Sequence, residues 1–160
     1  MAAQIAGRQI LKPRSTLSLT LEEPHDPADF YQCRSGLWVW DGFRFEVVVG
    51  AKRIHAGAKF DVSIFELVHV ATSFELAKAL PANHLFDESA VCALVATMIE
   101  KQPSGEIGDL ETKGHANLLY TRACCVELLY DPMHRVWRIL ASRRDNIKWG
   151  VGRRVLAPAV

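Results

Sequence analysis

Seven basic residues crowd into twenty positions near the C-terminal end: Arg135, Arg138, Arg143, Arg144, Lys148, Arg153 and Arg154. Asp145 is the one acid among them, so this segment carries +6 while residues 1–134 carry −5. Trp137 and Trp149 are interleaved with these cations. A guanidinium is a planar fork that meets two carboxylate or phosphate oxygens at once, and arginine outnumbers lysine here six to one. Charge combined with flat apolar surface suits an anionic partner, either an acidic protein surface or nucleic acid, with the indoles placed to stack. A competing expectation is structural. Charged strand residues face solvent, guard sheet edges, or pair with acids such as Glu127 and Asp131, and Glu127 with Arg138 needs only an ordinary hairpin register.

A second constellation is Cys92 on a helix followed by His115 at the start of a strand. A thiol becomes a useful nucleophile only when an imidazolium or a helix N-terminus raises its thiolate fraction. This order resembles papain-like thiol hydrolases, in which a helical cysteine meets a histidine from a later strand. The resemblance implies a thiol hydrolase or transferase using Cys92 and His115, with Asn117 or Asp145 available to orient the imidazole. Read from its neighbours instead, Cys92 lies beside Val91 and Val95 and packs in an apolar stripe, so a non-catalytic binding protein is the primary expectation.

No metal or cofactor is expected. His25, His55, His69, His84 and His134 are scattered singly, and no C-x-x-C pair or phosphate-binding Gly-Lys-Ser/Thr ending occurs. Trp38 and Trp40 would share one strand face as a stacking platform, but filling core volume is the preferred reading.

The chain has 160 residues, 49% hydrophobic and 23% charged, with a net charge of +1. That composition excludes disorder, and the absence of a run of about 18 apolar residues excludes a helical membrane span. Four cysteines, Cys33, Cys92, Cys124 and Cys125, are too few for a disulfide scaffold, so reduced thiols and a cytoplasmic location are expected. Residues 1–15 have no continuous apolar core and read as an N-terminal arm ending near Pro13. Residues 16–160 then form a single α+β domain.

Leucines at 17, 19 and 21 predict a half-buried strand from Thr16 to Glu22. Asp41-Gly42 between two apolar runs predicts a tight hairpin from Leu37 to Val49. A helix beginning near Asp41, with Phe43, Val47 and Val48 inward, is the alternative. Phe65 to Val70 reads as a central strand. Thr72 with Glu75 forms a capping box for a short helix that Pro81 stops. Asp87 caps a longer one with a stripe of Val91, Leu94, Val95, Met98 and Ile99. From Leu118 to Ala141 the period is two, a β-meander, and Val151 to Leu156 is expected as a last edge strand. The sum is a mostly antiparallel sheet with one long and one short helix packed on one face.

Overall fold

Two apolar clusters, one on each face of a sheet, organise the chain. The computed structural model describes residues 4, 5, 7–143 and 146–159. Its elements are β1 (Gln4–Ile5), β2 (Arg8–Gln9), β3 (Leu11–Thr20), α1 (Pro27–Phe30), β4 (Leu37–Val39), α2 (Asp41–Glu46), β5 (Lys59–Leu67) and β6 (Ala71–Thr72). After them come α3 (Ser73–Ala79), β7 (Leu85–Phe86), α4 (Glu88–Lys101), β8 (Asn117–Thr121), β9 (Cys124–Asp131), β10 (Val136–Arg143), β11 (Lys148–Trp149) and β12 (Arg154–Pro158). The main sheet has eight strands in the order β3-β5-β12-β8-β9-β10-β4, with β7 also paired to β8.

The α+β class is as expected, but the sheet is mixed rather than mostly antiparallel. Consecutive β8, β9 and β10 form the antiparallel meander. By contrast β4 runs parallel to β10, β12 parallel to β8 and β7 parallel to β8. The segment expected at an edge is central: β12 lies between β5 and β8. Val155, Leu156 and Ala157 are all buried, as a strand covered on both faces requires.

Alternation along the strands divides the core. Leu119, Val126, Leu128, Ile139 and Leu156 join the cluster that contains α4. Leu118, Tyr120, Cys125, Val155 and Ala157 point the other way, into a cluster with Leu76 and Ala79 of α3. Helices therefore cover both faces, and the described residues hold four of them instead of one long and one short. Asp87 Oδ1 accepts from Ala90 N at 2.8 Å to start α4, and all five residues of its expected stripe are buried. Each contributes about 1.5–3 kcal/mol by leaving water. At α3 the capping box of Thr72 and Glu75 is present.

Residues 41–46 form α2 instead of the return strand of a hairpin. Phe43 and Val47, four apart, are fully buried while Phe45 is exposed, an arrangement that strand alternation cannot produce. Gly42 permits it, because a Cβ there would sit 3.0 Å from the Ala141 carbonyl oxygen. Within the segment expected as an arm, Ile10 and Leu11 are buried, and β3 begins at Leu11, opposite Leu67 of β5.

The loop after α4 has little regular structure and is held by buried polar side chains. Gln102 Nε2 donates to the carbonyls of Glu106 (2.7 Å) and Leu110 (3.2 Å), and its Oε1 accepts from Leu110 N (2.9 Å). Asn117 Oδ1 accepts from Glu111 N at 2.7 Å, and its Nδ2 donates to the carbonyls of Glu111 and Leu128, both at 3.1 Å. Replacing Gln102 by alanine strands a buried amide and carbonyl of Leu110 and should cost about 3 kcal/mol. Urea unfolding checks this; a loss of only a few tenths would show that the loop does not depend on that side chain.

Candidate functional site

Strand alternation and turn geometry disperse the C-terminal basic residues. Arg135 sits in the β9–β10 turn with a left-handed backbone, φ 53°. Arg143 is at the far end of β10, eight residues away, which is roughly 27 Å at strand rise. Between them Arg138 Nη2 donates to Asp131 Oδ2 at 2.7 Å. The expected Glu127–Arg138 pair does not form, because the register sets Arg138 opposite Leu129 and Glu127 opposite Leu140. Arg154 turns inward and its Nη1 donates to the carbonyls of Gly108 and Asp109, both at 2.6 Å. Arg153 lies over the Trp149 ring, 5.7 Å from its centroid, and donates to the Gly150 carbonyl. Arg144 falls outside the described residues.

The interleaved tryptophans are core residues. Trp137 is fully buried and its indole donates to the Gln102 carbonyl at 2.8 Å. Trp149 is buried with its indole on Ser73 Oγ at 3.0 Å. The pair expected to fill core volume shows the reverse: Trp38 is 52% and Trp40 44% exposed, on and just after the edge strand β4.

The β8–β9 turn end of the sheet does collect cations. Arg143 pairs in register with Cys124, two residues after exposed Arg122. Exposed Lys148 pairs with Thr72, immediately before Ser73 and the 59%-exposed Phe74. A cavity of about 400 Å³ is lined by Ser73, Phe74, Tyr120 and Arg122, on the α3 side of the sheet, whereas Arg143 is on the α2 side with Cys124. Arg143 is 82% exposed and its carboxylate contact, with Glu46, is long at 3.9 Å. Among the described residues no carboxylate lies within ion-pair distance of Arg122 or Lys148. Arg122 is not among the expected site residues, because it stands outside the C-terminal charge run and only the β8–β9 turn brings it there.

Cys92 and His115 lack the features of a reactive pair. Cys92 is fully buried in α4, and burial, reinforced by Glu88 and Asp87, pushes its thiol up to about 12. Such a thiol is protonated at physiological pH. The half-buried His115 ring lies against Gly152, where a Cβ would be 3.0 Å from it. Asn117 spends its side chain on the loop backbone, and Asp145 is outside the described residues. The thiol that is lowered is the exposed Cys33, which accepts from Val39 N at 3.4 Å and from Arg44 Nη2 at 3.5 Å.

Among the described residues no cluster of three or more His, Cys, Asp or Glu could hold a metal ion. No described helix is long and apolar enough to cross a membrane. No protein-family model, curated protein or solved structure matches this chain.

Glu127 is half-buried on β9 and accepts from Ser142 Oγ at 3.3 Å. Burial raises its pKa, against the pull of that hydrogen bond and of Arg153. A raised carboxyl pKa means that the folded state holds the proton more tightly than the unfolded chain, so stability falls as pH rises from the ordinary carboxylate range through the folded value. Glu127→Gln should therefore raise the urea midpoint at neutral pH, with the gain shrinking towards about pH 4; a gain independent of pH would refute this. Iodoacetamide at neutral pH should label Cys33 first, and buried Cys92, Cys124 and Cys125 only on unfolding. Mass spectrometry decides the order, and early labelling of Cys92 would restore the thiol-hydrolase expectation.

Proposed function

We propose that this is a non-catalytic binding protein that engages an acidic protein segment through Arg122, Arg143 and Lys148 at the β8–β9 turn end of its sheet. The observation that carries the reading is that three exposed cations stand at this end of the fold, Arg122 beside exposed Phe74, Lys148 paired with Thr72, and Arg143 on the α2 side near Glu46, with no carboxylate in reach of Arg122 or Lys148 among the described residues. Of the two anionic classes, protein is favoured because Trp137 and Trp149 are buried, which removes the indoles expected to stack on bases. The remaining C-terminal cations have other duties: Arg138 serves the β9–β10 turn, and Arg154 holds a loop. The cytoplasmic location expected from the cysteine usage belongs to the same reading.

Poly-glutamate is a suitable probe, followed by fluorescence anisotropy at increasing salt. Binding should weaken as screening shortens the reach of the exposed charges, and Arg122→Glu combined with Arg143→Glu should weaken it about tenfold or more. Absence of binding at low salt, or an unchanged affinity in the double variant, overturns the reading. Tighter binding of a duplex oligonucleotide, with a log K against log salt slope of about −3 for three phosphates, would reassign the surface to nucleic acid.

A further inference from the structure

The two edges of the main sheet are finished differently. At β4 the outward main-chain groups are closed within the chain. Leu37 and Arg34 exchange amide-to-carbonyl bonds, both at 3.0 Å, while Val39 N donates to Cys33 Sγ at 3.4 Å and that thiol donates to the Val39 carbonyl at 3.5 Å. At β3 the corresponding groups have no such cover. Leu21 bonds on the β5 side, accepting from Gly57 N at 2.8 Å and donating to the Ala58 carbonyl at 2.9 Å. Alternation along the strand turns Leu19 and Leu17 to β5 as well, and the amides and carbonyls of Thr16, Ser18 and Thr20 outwards. The Asp61 carbonyl, opposite Ser18, bonds away from β3 to Ala159 N at 2.8 Å, as this alternation requires. All three outward residues are exposed, and among the described residues nothing bonds their main chain from that side. The devices that blunt a sheet edge, a lysine, a proline, an arginine and a bulge, stand at Lys12, Pro13 and Arg14, short of this stretch.

We infer that this edge joins a second copy of the chain, β3 against β3, antiparallel about a two-fold axis at Ser18. The outward set is centred on Ser18, so this register pairs Thr16 with Thr20 of the second copy and Ser18 with its own equivalent. Every outward group of the stretch then has a partner. The charge along the edge is self-complementary in the same register. Lys12 and Arg14 lie at its start, Glu22 and Glu23 just past its end, and Arg14 and Glu22 stand equally far from Ser18. Each Arg14 therefore meets Glu22 of the second copy, whereas a parallel pairing would set like charges together. Both side chains are exposed, and the contact of Arg14 with Glu66 of its own chain is long at 3.5 Å. Leu17, half-buried at the margin of the α4-side cluster, comes beside Leu19 of the second copy and carries that cluster across the axis. The pairing uses none of the cations assigned to the acidic-segment surface.

Sedimentation equilibrium of the whole chain, over a concentration series reaching about 0.5 mM, should show monomer and dimer in exchange, since so short an edge makes a weak interface. Reducing agent is kept present so that exposed Cys33 cannot bridge two chains. Arg14→Glu and Glu22→Lys each set like charges against one another on both sides of the axis, and each alone should weaken dimerisation about tenfold. An equimolar mixture of the two variants should restore it, because in the mixed dimer every charge at position 14 faces its opposite at position 22. Thr16→Pro removes an outward N–H that β5 does not use and should abolish the dimer, with circular dichroism checking that the fold is kept. A monomer throughout the series, a dimer indifferent to both charge variants, or a mixture no more associated than its components overturns the inference. The mixing arm stands even if Thr16→Pro fails to fold, because both charge variants lie on exposed positions.

Discussion

Buried polar side chains substituting for missing secondary structure are the constraint on which the rest of this fold depends. The loop from Gln102 to Glu111 crosses the end of the sheet, and its amides and carbonyls need partners once water is excluded. Gln102 just past the end of α4, Asn117 of β8 and Arg154 of β12 supply them. The indole of Trp137 adds a bond from β10 to the Gln102 carbonyl. One loop thus fixes the height of α4 over the sheet and the mutual positions of three strands. Arg154 carries a desolvation cost for this, since burial lowers its pKa. Two carbonyls at 2.6 Å offset that cost.

That duty explains why a run of like charge in the sequence is not a patch in space. Arg135 lies in a turn, Arg138 and Arg143 on a strand, Lys148 and Trp149 in a short ribbon, and Arg154 is buried. Asp131 shows the local side of this: it accepts from the backbone of Met133 and His134 and from the side chains of His134 and Arg138, which holds its carboxyl below the ordinary range. Only the charge that no turn or loop consumes remains for a partner.

The elements with local determinants were legible in the sequence. The α4 stripe with its Asp87 cap, the Thr72–Glu75 box and the β8–β10 meander all rest on neighbours within a few residues, so periodicity and capping chemistry reveal them. The rest depends on distant partners. Whether Leu37–Val39 pairs with residues 43–49 or with β10 is decided by a strand a hundred residues later, and Asp41-Gly42 fits both outcomes. The parallel pairings, and with them the mixed sheet, are of the same kind. Arg122 comes to the same end of the sheet as Arg143 through topology alone, and no spacing in the chain announces it. The exposure of Trp38 comes from β4 lying at an edge of the sheet.

The position of β12 also fixes an order of events. Strands β3 and β5 form one ladder and β8, β9, β10 and β4 another, and in the main sheet β12 is the strand that joins them. Neither ladder can complete its inner edge until residues 154–158 are in place, because on that side β8 otherwise has only the two residue pairs that β7 supplies. Such late, long-range closure is slow and leaves strand edges open to wrong partners in the meantime. The joining of the two ladders by β12 is thus the long-range step that topology sets last and slowest.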